Sequence, residues 1–280
     1  MAALPSPPGC TVAGPLPASR LGLLGDSFIL ACPSMKLSVE RHSVTLACAV
    51  GNAPLTVTVG HRQWTGRLLA VQPSCARCID SAGQPAAVID LEPTCLRFNT
   101  FSRPPGPQPV QVLDDQRFAG LLACARAFAM QALCGRQLQA ALHMHVAHIA
   151  DSIAPHRPLH RTVLRMMAAL RLDPGTPVPA LAAEVGLSPS GASRLFAESL
   201  GISIRQYALF VKIQHAAVFI GSGRPLTRIA HAAGFTDSSH LAKVWMRCYG
   251  ARPSHYFSEH RHGGWVEHVW RRQVSLGQGE

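Results

Sequence analysis

From Phe28 to about Asp90 the apolar positions of the chain recur at every second residue. Leu37 and Val39, then Val44, Leu46, Cys48 and Val50, then Leu55, Val57 and Val59, alternate with polar or small residues, and breaks fall at Gly51-Asn52 and Gly60. Successive side chains of a strand point to opposite faces, so this period predicts half-buried strands joined by turns. Two further apolar runs, Leu68–Val71 and Ala86–Leu91, supply more strands. Short strands in this number predict a small antiparallel sandwich or barrel, a fold that commonly encloses a ligand cavity.

The period then changes. Residues 99–109 form a connector rich in proline, with Pro104, Pro105, Pro107 and Pro109. Beyond it, Phe118, Leu121, Leu122, Ala125, Phe128 and Ala129 fall on one helical stripe, and Leu138, Leu142, Val146 and Ile149 on a second beyond Gly135. Spacing of three and four places such residues on one helix face, so 114–150 is expected to hold two antiparallel helices. Their stripes either cover the sheet or meet a second copy of the chain. A second connector, about 151–158, leads to a helix expected over 159–172.

From Val178 the chain contains one small pattern twice. Val178, Leu181, Ala182, Val185, Gly186, Leu187 and Ser188 are matched 48 positions on by Leu226, Ile229, Ala230, Ala233, Gly234, Phe235 and Thr236. Each copy reads as a short helix with one apolar face, ended by a glycine that permits a left-handed turn. An apolar residue then plugs the corner, and Ser188 or the Thr236-Asp237 pair offers an oxygen to cap a following helix. That helix repeats as well: Leu195-Phe196, Gly201 and Tyr207 correspond to Val244-Trp245, Gly250 and Tyr256 at an offset of 49. Helix, glycine corner and capped second helix make a helix-turn-helix, whose second helix enters the DNA major groove.

The run Leu187-Ser188-Pro189-Ser190 through Arg194-Leu195-Phe196 to Leu200-Gly201-Ile202-Ser203, with Ile229-Ala230, Gly234-Phe235 and Gly250-Ala251-Arg252-Pro253-Ser254, closely resembles the DNA-binding domain of the AraC/XylS transcription regulators. The resemblance covers 159–259. It implies two recognition helices on one long linking helix, an N-terminal domain similar to a cupin that binds an effector, helices that make a dimer contact, and RNA polymerase as a partner if the protein activates. Residues 203–220 read as that link: roughly 18 residues at ~1.5 Å each span about 27 Å, and with the corners approach the ~34 Å between successive major-groove faces.

Charge supports a polyanionic partner. The chain of 280 residues has a formal net charge of +11. From His156 onward 15 Lys and Arg stand against 7 Asp and Glu, a net +8, while residues 1–155 carry 11 against 8, a net +3. The excess on the helical half suits double-stranded DNA. Residues 1–27 read as a flexible N terminus without the basic start and apolar core of a signal peptide, and no apolar span of membrane length occurs. A cytoplasmic address follows, in which nine cysteines are expected as thiols.

Cys75-Ala-Arg-Cys78 places two thiols three apart, a spacing that binds soft metals or closes a redox disulfide, but only Cys95 follows as a further ligand. His143, His145 and His148 bring at most two rings to one helix face. We find no nucleophile elbow, phosphate loop or zinc-protease motif. The alternative to a regulator is therefore a metal-dependent cupin-type enzyme with an accessory helical domain; no cofactor is assigned.

The recognition helices are expected over 189–200 and 237–249. Ala192, Leu195 and Phe196, and Leu241, Val244 and Trp245, face the core. Ser190, Ser193, Arg194 and Ala197, and Ser238, Ser239, Ala242 and Lys243, face the groove, at the places the resemblance implies. Arg194 is the foremost base reader, since a guanidinium can bond guanine O6 and N7 together. Lys212, on the largely apolar linker, is expected at phosphate. The expected organisation is α+β: N terminus 1–27, β effector domain 28–113, helical dimerisation element 114–152, linker 153–158, an all-α DNA-binding domain 159–260 with two helix-turn-helix motifs, and basic tail 261–280.

Overall fold

A computed structural model describes residues 19–103, 108–155, 157–219, 222–250, 252–254 and 266–268. Most of the basic tail, residues 1–18, Ile220 and Tyr256 lie outside the described residues.

The N-terminal half is a sandwich of unequal sheets. The larger contains β1 (Arg20–Leu23), β2 (Ser27–Cys32), β4 (Val44–Ala49), β7 (Leu68–Val71), β9 (Ala86–Leu91), β10 (Val110–Val112) and β11 (Val266–His268), in the order β10-β7-β4-β9-β2-β1-β11. The smaller contains β3 (Lys36–Glu40), β5 (Leu55–Val59), β6 (Arg62–Gly66) and β8 (Ala76–Asp80), in the order β3-β8-β5-β6. Neighbours pair antiparallel, except β11, which lies parallel to β1. Two expectations shift here. The sheet begins at Arg20, inside the stretch set aside as a flexible N terminus, and part of the tail returns to its edge.

The central strands β4 and β9 are buried along their whole length because both faces are covered. Ala47, Ala49, Ala86 and Val88 meet Leu55, Val57 and Ile79 of the small sheet. Leu46, Cys48, Ala87 and Ile89 turn the other way, into a core shared with helices α1 (Phe98–Ser102), α2 (Ala119–Ala129) and α3 (Gly135–Ile153). On β5 one face meets solvent, and there Thr56 and Thr58 alternate with buried Leu55 and Val57. Thus the strands with one wet face alternate and the covered ones do not.

The stripe expected to serve a dimer is consumed inside the protomer. Leu138, Leu142, Val146 and Ile149 are 0–2 % exposed, packed in the helix-facing core. The connector is also shorter than expected, since α1 occupies 98–102 and buries Phe98 and Phe101.

The C-terminal half comprises α4 (Arg161–Leu172), α5 (Val178–Glu184), α6 (Pro189–Leu200), α7 (Ile204–Ala217), α8 (Leu226–Ala232) and α9 (Ser238–Tyr249). Phe196 and Tyr207 anchor the first three-helix cluster, and Phe235 and Trp245 the second. α7 begins where expected, with Ser203 and Gln206 in a capping box, but it ends at Ala217. Beyond that point the ladder tightens, with Phe219 N–H bonding Ala216 O at 3.0 Å. Its 14 residues span about 21 Å rather than 27 Å, so the two corners supply more of the separation.

Candidate nucleic-acid interface

The two corners share their closing bonds. Leu187 N–H donates to Ala182 O at 2.9 Å, and Phe235 N–H to Ala230 O at 2.9 Å. Gly186 and Gly234 take φ of 69° and 79°, the left-handed region in which a Cβ is strained. Each recognition helix then starts on a side-chain cap: Ser188 Oγ accepts from Gly191 N–H at 3.1 Å, and Asp237 Oδ1 from His240 N–H at 2.8 Å. The bond from His240 holds the Asp237 carboxyl below the usual carboxylate range. The corners also differ: Val185 N–H bonds Ala182 O at 3.2 Å where Ala233 N–H bonds Ile229 O at 3.0 Å, and Phe235 is buried as a plug whereas Leu187 remains 37 % exposed.

On α6, Ala192 and Phe196 face the core, while Ser190, Ser193 and Arg194 are exposed and Ala197 is half-buried. Ser193 Oγ bonds back to Pro189 O at 2.8 Å and Ser190 Oγ lies 3.3 Å from Ser188 Oγ, so both hydroxyls already have local partners. On α9, Ser239 and Lys243 are exposed, and Ser238 and Ala242 half-buried. Among the described residues no hydrogen bond or ion pair ties down Arg194 or Lys243. Lys212 is half-buried, and its stem runs beside the Gly234 corner. His240 and Met246 are also exposed on α9 and escaped the sequence reading, because neither is a typical phosphate or base ligand.

Both recognition helices end against the β domain. Gly201 and Gly250 close them in the left-handed conformation, with φ of 73° and 69°. Ser102 Oγ donates to Leu200 O at 2.7 Å, and Arg41 Nε donates to Cys248 O. The linking helix α7 is held along its length, Gln206 Nε2 to Ser74 Oγ at 2.9 Å and Gln214 Nε2 to the Glu92 carboxylate group. Arg41 is itself fixed by Asp90, which is fully buried and also accepts from Ser43 Oγ at 2.9 Å and from Thr45 Oγ1. Arg77 completes the cluster 3.6 Å from Asp90. Burial lowers the Arg77 guanidinium to about 10 against the pull of Asp90, so it stays charged at neutral pH.

The domain comparisons agree with this geometry. The family described as "Helix-turn-helix domain" matches residues 181–259. The arabinose operon regulatory protein of Escherichia coli (strain K12) is 32 % identical over 85 residues, which are 30 % of this chain and 29 % of that protein. That of Salmonella typhimurium is 32 % identical over 80 residues, 28 % of each. Residues 181–259 are an AraC-type helix-turn-helix domain. The chain spans less than a third of the length of these curated relatives. Over both halves the fold resembles crystal structures of ToxT from Vibrio cholerae. An apo form gives a TM-score of 0.55 at 10 % identity, covering 83 % of this chain and 97 % of that one. A form with an unsaturated fatty acid bound gives 0.51 at 9 % identity, covering 86 % and 92 %. The likeness of fold covers the β-rich N-terminal half and the helical C-terminal half together.

The thiols do not gather. Cys78 sits on β8, Cys75 just before it, and Cys95 is buried in the helix-facing core. Burial raises the Cys75 thiol and pushes Cys95 up to about 12, the reverse of what a reactive thiolate needs. The three histidines of α3 also go separate ways: His143 pairs with Asp26 at 2.9 Å, His145 lies against Gly120, and His148 meets the edge of Phe118. Among the described residues no three His, Cys, Asp or Glu side chains converge as a metal site, and no helix is long and apolar enough to cross a membrane.

Proposed function

We propose that this chain is a sequence-specific DNA-binding transcription regulator under the control of a small molecule. The observation that carries the reading is the pair of similarly closed corners, each delivering a capped helix whose exposed face carries a cation, Arg194 or Lys243, with no partner among the described residues. A cation in that position can reach base edges or phosphate. Ser190, Ser193, Ala197, Ser238, Ser239 and Ala242 shape the remaining surface, and Lys212 supports the second corner. The partners are double-stranded DNA, an effector and, for an activator, RNA polymerase; the setting is the cytoplasm. A second copy would meet the outer face of α3, where Met144 is 58 % exposed, since the inner stripe is spent.

Control is supported by the way the β domain grips both recognition helices at their C-terminal ends. A ligand that alters the grip alters how the two helices face DNA. The unsaturated fatty acid of the ToxT structure is not carried over, because here the seam between the halves presents an acid, Glu92. The test is a mobility-shift titration of the whole chain against DNA fragments at rising salt. Affinity should fall steeply as condensed counterions cease to be a driving force. Absence of binding at low salt, or binding indifferent to salt, refutes the reading.

A further inference from the structure

Where β1, β2 and the end of β9 meet α7 and α9, the structure leaves a cavity of ≈ 50 Å³, lined by Leu23, Phe28, Glu92, Gln214, Val218 and Tyr249. A second, of ≈ 30 Å³, shares Phe28, Glu92 and Tyr249 and reaches Arg41. At roughly 15 Å³ for each water-sized group, the first holds about three such groups. Its walls are mainly apolar or aromatic, with Ser27 and Gln214 as neutral polar groups, and its one carboxyl is that of Glu92. We propose that this seam binds a primary ammonium group on a short apolar chain, with Glu92 as its counter-ion.

The charges around Glu92 single it out. Asp26 faces it and is paired with His143 at 2.9 Å. Asp90 faces it and is paired with Arg41 and Arg77. Glu92 has only the neutral amide of Gln214, and no ion pair among the described residues. The walls already hold a cation: the Arg41 guanidinium lies 4.7 Å from the Phe28 ring and 5.1 Å from that of Tyr249. Aromatic faces attract cations, and Arg41 is spoken for by Asp90, so the remaining carboxyl is the one that accepts another. Burial, then Asp26 and Asp90, push the Glu92 carboxyl up to about 8, opposed by the Gln214 bond and by Arg41. Near neutral pH it therefore holds a proton. An arriving ammonium replaces that proton and competes with Gln214 for the same oxygens, loosening the tie between α7 and the β domain. This effector class rests on the regulatory reading above, but the binding site itself does not.

The probes are ethylammonium, acetate and ethanol, titrated calorimetrically into the whole chain at pH 7 in two buffers of different ionisation heat. The amine should bind with release of close to one proton, and acetate and ethanol should not bind. Glu92→Gln keeps an acceptor for Gln214 and should weaken the amine at least tenfold, with a melt at pH 7 no lower than that of the parent. Gln214→Glu adds a second carboxyl and should strengthen it. No amine binding, no proton release, or an amine affinity indifferent to Glu92→Gln overturns the site. If the amine binds as described and a parallel mobility shift shows no DNA binding at all, the site stands and the regulatory reading falls.

Discussion

Asp90→Asn isolates the charge at the centre of the β domain while conserving shape. The native carboxylate is 0 % exposed and, among the described residues, is the sole anion paired with Arg41 and Arg77. Asparagine can still accept from Ser43 and Thr45, so those two bonds are not at stake. What is lost is the counter-charge for two buried guanidinium groups. Removing one partner of a buried ion pair costs roughly 3–5 kcal/mol, because the survivor stays desolvated. For a chain of this size each kcal/mol moves the melting temperature by roughly 2–4 °C, which makes the expected loss on the order of 10 °C. Urea unfolding followed by far-ultraviolet circular dichroism, with a thermal melt alongside, measures it. Adding Arg77→Met to the variant removes one of the stranded charges and should restore part of the loss. A drop below about 1 kcal/mol, or no recovery in the double variant, would show that the cluster is solvated and does not depend on Asp90.

Glu92 gives a dependence on pH. Its folded-state proton affinity, raised to about 8 from 4.5, means the native chain binds the extra proton between those values. Stability is thus full below the lower value and declines as pH rises to about 8, by up to ~1.4 kcal/mol per unit; Glu92→Gln should flatten the decline, and a parallel slope in the variant refutes the assignment. Gly186 and Gly201 share a left-handed backbone, but a Cβ on Gly201 would lie 3.0 Å from Ser102 O whereas one on Gly186 meets nothing within 4 Å. Alanine should cost ~1 kcal/mol at Gly186 for backbone strain and clearly more at Gly201; equal losses in thermal melts would mean the β domain does not press on α6. Leu142→Glu should unfold the helical layer, because the residue is 1 % exposed. Sedimentation showing a folded monomer in place of a dimer would instead restore the stripe as an interface.

The helix-turn-helix pair was legible because its signals are local. Seven residues carry the apolar face, the glycine corner and the cap, so Pro189–Leu200 and the Asp237 cap appear as read. Strands with a wet face were legible for the same reason. β6, whose residues Arg62, Gln63 and Thr65 show no apolar period, is recruited by pairing with β5. The Cys75–Cys78 thiol pair overlaps β8, whose inward residues are Arg77 and Ile79. The length of α7 was overestimated because apolar residues continue to Val218 and Phe219 after the helix has ended. The seam had no local sign at all. Glu92 with Gln214, and Arg41 with Cys248, are brought together over more than a hundred residues of chain. One clue existed: Asp90 is the charged residue within the otherwise apolar run Ala86–Leu91, where a charge calls for a buried partner.

The claim that α6 reads sequence is tested most directly at Arg194. Fluorescence anisotropy of the whole chain, its Arg194→Ala variant and its Lys243→Ala variant should be compared on a selected high-affinity site and on a scrambled one. A guanidinium bonded to guanine predicts a loss of ~1–3 kcal/mol for Arg194→Ala on the selected site, little loss on the scrambled one, and a flattened preference at one base position. A lysine that only neutralises phosphate predicts equal losses on both DNAs for Lys243→Ala and a salt slope smaller by about one. Equal losses on both DNAs for Arg194→Ala would contradict the account and make α6 a backbone clamp.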